Sequence, residues 1–233
     1  MDSIEDNKEE NIKKNKIRKE LMIYFLIEVI LCIICIWDRI IDIPRFPKCF
    51  LFLTQIDLYC NMIYYSLNIY NIFNNNDSKK KEKFHYFFNF NFCVSFVVFA
   101  MYWPMLLLDK KTLYKNDKEN IVPTSLNLLL HGGVFTINLL VLCFIKKEKI
   151  NNNYINIHFY FLFTVFYIGI LYLIKILFNI KVYPFIYGSF VKFIVITISG
   201  FMACIIGQCI FVSLTKRQTT INEEKKYKQF EMH

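Results

Sequence analysis

Glycine and proline are scarce in this chain, whose 233 residues include only six glycines and five prolines. The sequence contains no glycine-rich loop of the kind that binds phosphate, so we expect no nucleotide site. Its four histidines are widely dispersed, and we therefore expect neither a metal nor another cofactor. No surface combining basic and aromatic residues occurs outside the apolar segments, so the formal charge of +9 does not indicate nucleic-acid binding.

Apolar residues make up 55% of the chain, and they form long blocks separated by short charged stretches. A helix of about 20 apolar residues crosses a hydrocarbon core of about 30 Å. Lipid offers no hydrogen bonds to an open backbone, so such segments must be helical. We predict an all-α, polytopic integral membrane protein with six transmembrane helices near residues 21–41, 49–73, 84–108, 126–146, 154–178 and 188–214.

The polar ends of the chain lie outside these spans. We predict a disordered, charged N-terminal tail at residues 1–20, a six-helix transmembrane domain at 21–214 and a basic C-terminal tail at 215–233. The two tails, with the loops after the second and fourth spans, carry 18 of the 28 Lys and Arg residues. Because positive charge stays on the cytoplasmic side, both termini are expected in the cytoplasm.

The sixth predicted span carries a face of small side chains. Gly200, Ala203, Cys204 and Gly207 recur there at helical spacing. Small residues let membrane helices approach closely, so we predict a helix-packing seam and not a chemical site.

Polar side chains occur inside two of the predicted spans, where burial in lipid is costly. In the second span Thr54 and Asp57 are three residues apart and share a helical face, with Asn61 four residues further on. In the fourth span Asn127 and His131 are four residues apart and share a face as well. We therefore regard these residues as candidates for function.

Thr54 and His131 are expected at the same depth in the bilayer. The second and fourth spans run in the same direction, and each residue lies about five positions into its span, roughly 8 Å below one interface. A hydroxyl beside an imidazole is the smallest nucleophile–base pair, and this one would lie opposite the cytoplasm. The alternative is that Thr54 bonds its own helix backbone and His131 is merely packed.

Three short segments resemble one family of membrane proteins. Residues 52–58 read FLTQIDL, residues 123–131 read PTSLNLLLH and residues 182–185 read VYPF. They are similar to motifs of the androgen-induced gene 1 and androgen-dependent TFPI-regulating protein family, also called FAR-17a-like. The resemblance implies a multipass threonine hydrolase acting on fatty acid esters of hydroxy fatty acids. Thr54 would then be the nucleophile and His131 the catalytic histidine.

Our hypothesis is an integral membrane hydrolase that takes a lipid ester from the bilayer of the endoplasmic reticulum or plasma membrane. Asp57 and Asn127 are expected to orient the catalytic pair. Tyr183, on the last loop, is expected either to donate a hydrogen bond near the pocket mouth or to anchor the interface. The alternatives are a transporter or channel for a small lipid or proton-coupled solute, a non-catalytic membrane scaffold, or an acyltransferase using the same pair. The sequence leaves the oligomeric state open.

Overall fold

A computed structural model of the protein describes residues 2–42, 52–74, 78–108, 124–144, 155–181, 183 and 190–231. Within these ranges the regular elements are all helical, which confirms the all-α class. In chain order they are α1 (Asp2–Asp42), α2 (Leu53–Phe73), α3 (Ser78–Leu108), α4 (Thr124–Leu128), a π-helical turn (Leu129–Gly133), α5 (Val134–Phe144), α6 (Ile155–Phe178) and α7 (Phe190–Glu231).

Five helical segments of the described chain are long and apolar enough to cross a membrane, and they match five of the six predicted spans. They are Glu10–Ile40, Phe84–Pro104, Ser125–Phe144, Phe159–Phe178 and Phe193–Arg217. The protein is therefore a multi-pass membrane protein. The second predicted span, α2, is not among the five although it has 21 residues. Polar side chains make α2 less apolar, and Gln55, Asp57 and Asn61 are buried within the protein.

Helix α1 differs from the expectation at its N-terminal end. Residues 1–20 were expected to be disordered, but the helix begins at Asp2 and continues without a break into the first apolar segment. Its exposed charged residues are spaced to support a helix, with Lys14 Nζ 2.6 Å from Glu10 Oε1 and Lys16 Nζ 4.0 Å from Glu20 Oε1. Such pairs four residues apart stabilise helices in water, which explains why a polar segment can be helical.

Helix α3 lies at the centre of the bundle and packs against α2, α5, α6 and α7. Its buried face is rich in aromatic rings, and Phe88 and Phe92 both contact Phe211 of α7, with centroid distances of 6.0 and 5.4 Å. The peripheral helices instead expose large apolar side chains such as Phe166 and Ile176. A polar or aromatic interior with an apolar exterior is the arrangement that a hydrocarbon solvent favours.

The small-residue face of the last span forms a packing seam around Gly207. Ala203 and Cys204 are buried, and a Cβ atom on Gly207 would lie 3.1 Å from the ring of Phe96 on α3. A Cβ atom on Gly200 would meet nothing within 4 Å. The predicted seam is therefore confirmed at its C-terminal part, while Gly200 lies outside it.

We expect Gly207→Leu to destabilise the protein, because the side chain must displace Phe96 from a packed interface. Overpacking of this kind costs about 1–3 kcal/mol, which corresponds to a fall in Tm of roughly 2–10 °C. The measurement is thermal unfolding in detergent, with Gly200→Leu as the matched control. Equal losses in both variants would contradict the seam.

Candidate active site

The first turn of α2 presents Thr54 at the end of a helix. Phe52 precedes the helix, and its carbonyl oxygen accepts hydrogen bonds from the N–H groups of Gln55 and Ile56 at 2.9 and 3.1 Å. The N–H of Leu53 donates to the hydroxyl of Tyr183 at 2.8 Å. Tyr183 also contacts the ring of Phe52 edge-on, with centroids 5.4 Å apart. The N-terminal end of α2 is thus fixed by a tyrosine from the last loop.

The hydroxyl of Thr54 has a different environment from those of the other helical threonines. Four of these donate to the carbonyl oxygen four residues earlier at 2.8–2.9 Å, namely Thr136, Thr164, Thr197 and Thr215. Since α2 begins at Leu53, Thr54 has no such carbonyl within its helix. Its Oγ1 instead lies 3.2 Å from Nε2 of His131. The start of the helix therefore leaves this hydroxyl for a partner on another helix.

His131 lies in the π-helical turn at residues Leu129–Gly133. Its Nδ1 is 2.9 Å from the backbone oxygen of Asn127. A carbonyl oxygen can only accept, so Nδ1 of the neutral imidazole carries the proton and Nε2 presents its lone pair. The hydroxyl of Thr54 must then donate to Nε2, and the pair has the polarity that a nucleophile and its base require.

Two aromatic residues of α3 position this turn. The ring of Tyr102 stacks on the imidazole of His131 with centroids 3.8 Å apart and an interplanar angle of 19°. The adjacent Trp103 packs against Gly132, where a Cβ atom would lie 3.8 Å from the indole nitrogen. A π turn shifts the helical register by one residue and often occurs at functional sites. Here the turn holds the imidazole between Tyr102 and Thr54.

Asp57 forms its hydrogen bonds with residues other than His131. Its Oδ1 accepts hydrogen bonds from the Ser95 hydroxyl at 2.6 Å and from Nδ2 of Asn61 at 2.8 Å. The contacts of His131 among the described residues are with Thr54, Tyr102 and Asn127. Asp57 therefore does not contact His131 and faces α3 and the interior of the bundle, and its expected role in orienting the catalytic pair stays a prediction.

Asn127 does contact His131, but through its backbone carbonyl oxygen. A contact of this kind depends on helix geometry and not on the amide side chain. The structure places Asn127 beside His131 through the main chain, and an orienting role for Asn127 stays a prediction.

A second polar pair joins α1 to α2 beside Thr54. Asp38 is buried, and its Oδ2 accepts from Nε2 of Gln55 at 2.8 Å and from the guanidinium of Arg39. Sequence reasoning did not single out Asp38, although an aspartate inside an apolar segment is a signal of a buried partner. It also did not foresee Tyr102, because an aromatic residue in an aromatic-rich helix gives no distinguishing pattern.

Metal binding of the transition-metal type has no support among the residues that the structure describes. No group of three or more His, Cys, Asp and Glu side chains in those ranges is placed to hold a metal ion.

A family model described as FAR-17a/AIG1-like protein matches residues 19–216. No curated protein and no solved structure matches the chain. The matched region contains both Thr54 and His131, and it confirms the resemblance first indicated by the three sequence motifs. This chain belongs to the FAR-17a/AIG1-like family.

Proposed function

We propose that the protein is an integral membrane hydrolase of lipid esters, with Thr54 as nucleophile and His131 as base. The observation that carries the proposal is the 3.2 Å contact between Thr54 Oγ1 and His131 Nε2. The 2.9 Å contact between His131 Nδ1 and the Asn127 carbonyl supports it, because this contact selects the tautomer that can accept the hydroxyl proton. Membership of the family is compatible with this activity.

Acylation of Thr54 uses the direction of its hydrogen bond, in which the hydroxyl donates to Nε2 of His131. As Thr54 Oγ1 attacks the ester carbonyl carbon, its proton passes to Nε2 of His131 and the carbonyl oxygen becomes an oxyanion. When the tetrahedral intermediate collapses, the bond to the alcohol oxygen breaks. The imidazolium returns the proton to that oxygen, so the alcohol leaves neutral and the acyl group remains on Thr54.

Deacylation repeats these steps with water. His131 takes a proton from water as the water oxygen attacks the acyl-threonine carbonyl, and it then protonates Thr54 Oγ1 as that bond breaks. The products are a carboxylic acid and a free enzyme. Ester and water are thus converted into acid and alcohol with no other reactant. An acyltransferase would differ only in using an alcohol in place of this water.

The substrate class that we propose is a lipid ester drawn from the membrane, namely a fatty acid ester of a hydroxy fatty acid. Thr54 and His131 are only partly buried, which supports access by a substrate. The peripheral helices expose large apolar side chains to the surrounding phase, as hydrocarbon surroundings require. The proposed compartment is the membrane of the endoplasmic reticulum or the plasma membrane.

We further propose that α2 is the sixth crossing, within a transmembrane domain at residues 21–214, and that both termini are cytoplasmic. The distribution of Lys and Arg residues supports this topology. With both termini in the cytoplasm, Thr54 would lie near the non-cytoplasmic interface. The burial of the polar side chains of α2 explains how a less apolar helix can cross the membrane.

Glycosylation-acceptor tags test this topology. Tags at either terminus should stay unmodified in microsomes, and modification of a terminal tag would contradict the cytoplasmic location of that terminus.

We expect Thr54→Ala and His131→Ala each to reduce ester hydrolysis by about 10³-fold or more, since each removes one member of a pair that acts as a unit. The measurement is release of free acid from a branched fatty acid ester by the purified full chain. Thr136→Ala is the matched control, because the Thr136 hydroxyl only bonds the carbonyl oxygen of Gly132.

A fluorophosphonate probe provides the second measurement. We expect it to label the wild-type protein and the Thr136→Ala control but not Thr54→Ala. Labelling that persists unchanged in Thr54→Ala would overturn the nucleophile assignment. Transport of the lipid into liposomes without ester turnover would favour a carrier instead.

A further inference from the structure

Asp57 lies at the junction of α2, α3 and α5, away from the catalytic pair. Only 1% of its surface is exposed. Asn61, Ser95, Asn138 and Tyr65 surround it, and together with Asp57 they are called here the carboxylate cluster. The first three are as completely buried as Asp57, with exposures of 0%, 1% and 0%. A fully buried carboxylate has lost its hydration, so hydrogen bonds, a proton or a positive charge must take the place of water.

The hydrogen bonds of the carboxylate cluster all run toward Asp57. The hydroxyl of Tyr65 donates to Oδ1 of Asn138 at 2.8 Å. The amide of Asn138 donates to Asn61 Oδ1 at 2.8 Å and to Ser95 Oγ at 2.9 Å. Asn61 and Ser95 then donate to Oδ1 of Asp57 at 2.8 and 2.6 Å. A chain of donors that ends on one oxygen stabilises an ionised carboxylate.

The second oxygen of Asp57 has no donor among the described residues. Its Oδ2 is fully buried there without a hydrogen-bond partner. The amide oxygen of Asn91 is buried and without a partner among those residues as well, while Nδ2 of Asn91 donates to the Cys60 carbonyl. Asn91 lies one turn from Ser95 on the same face of α3. Two buried acceptor oxygens of α2 and α3 thus lack a hydrogen-bond donor within the described part of the chain.

No positively charged side chain of the described chain pairs with Asp57. Ion pairs between described side chains join Lys14 to Glu10, Lys16 to Glu20 and Arg39 to Asp38. Asp38 is the instructive contrast, because it is also a buried aspartate and has a guanidinium partner. Asp57 has the same burial and no such partner, so its carboxylate requires either a proton or a cation in place of the guanidinium.

From this arrangement we propose that the carboxylate cluster binds a small monovalent cation of the Na⁺ type at Asp57 Oδ2. Hard cations prefer carboxylate, hydroxyl and amide oxygens, which are the groups present. One carboxylate neutralises a single positive charge, whereas Ca²⁺ or Mg²⁺ sites generally recruit several charged or hydrated oxygens. The bound cation would join α2 to α3 and, through Ser95 and Asn138, to α5.

The cation should stabilise the folded protein, since a ligand that binds only the native state raises Tm. The test measures thermal unfolding of the full chain in a neutral detergent, in NaCl, KCl or N-methylglucamine chloride at about 0.15 M ionic strength. At about ten times its Kd, Na⁺ should raise Tm by roughly 3–6 °C relative to N-methylglucamine. A shift of similar size in KCl would support the site and show that it does not discriminate between alkali ions.

Variants separate this site from general salt effects. Asp57→Asn keeps the shape of the side chain and removes its charge, so the Na⁺ shift should disappear. Asp38→Asn is the matched control, and its Na⁺ shift should persist because that carboxylate is already paired. If Asp57→Asn does not fold, binding of radioactive Na⁺ to the wild type and its weakening in Ser95→Ala provide the second measurement.

The proposal is overturned if Tm is the same in all three salts, or if the Na⁺ shift is unchanged in Asp57→Asn. Either result would mean that a proton or water, and not a cation, serves Oδ2. These readouts do not involve ester turnover. They are therefore independent of the catalytic roles proposed for Thr54 and His131.

Discussion

Hydrocarbon neither donates nor accepts hydrogen bonds, and every polar side chain between the membrane interfaces must therefore find its partner inside the protein. Helix α2 shows the consequence most clearly, because its buried polar residues pair with α1, α3 and α5. Gln55 meets Asp38 of α1, Asp57 meets Ser95 of α3, and Asn61 meets Asn138 of α5. These pairs define how α2 is rotated in the bundle.

That rotation also determines the environment of Thr54. Thr54 and Asp57 are one turn apart, so fixing Asp57 against α3 directs the hydroxyl of Thr54 toward the π-helical turn. The helix begins one residue before Thr54, which removes the carbonyl that serves the other helical threonines. His131, held by Tyr102 and the Asn127 carbonyl, then becomes its partner. The pairing of polar side chains inside the bundle thus brings a hydroxyl and an imidazole together.

Much of this architecture could be predicted from the sequence, because apolar block length and the rarity of polar residues in lipid are strong signals. Thr54 and His131 could be paired by depth, since depth depends only on helix rise. Contacts that depend on how each helix is rotated about its axis could not be predicted. Asp57 contacts Ser95 and not His131. Tyr102 could not be singled out because it is one aromatic residue among many in its helix. The π turn at Leu129–Gly133 was equally invisible, because no pattern in those residues predicts it. The helical N-terminal segment was missed because its composition is polar, and only the spacing of its charges supports a helix.

The most direct test of the account is to find where the acyl group is carried during turnover. An activated ester acylates quickly and lets the covalent intermediate accumulate, so acid quenching and peptide mass spectrometry can locate the adduct. We expect a mass gain of one acyl group on the peptide that contains Thr54, and no such gain in Thr54→Ala. An acyl group found on a different residue of the wild-type protein, with the Thr54 peptide unmodified, would contradict it.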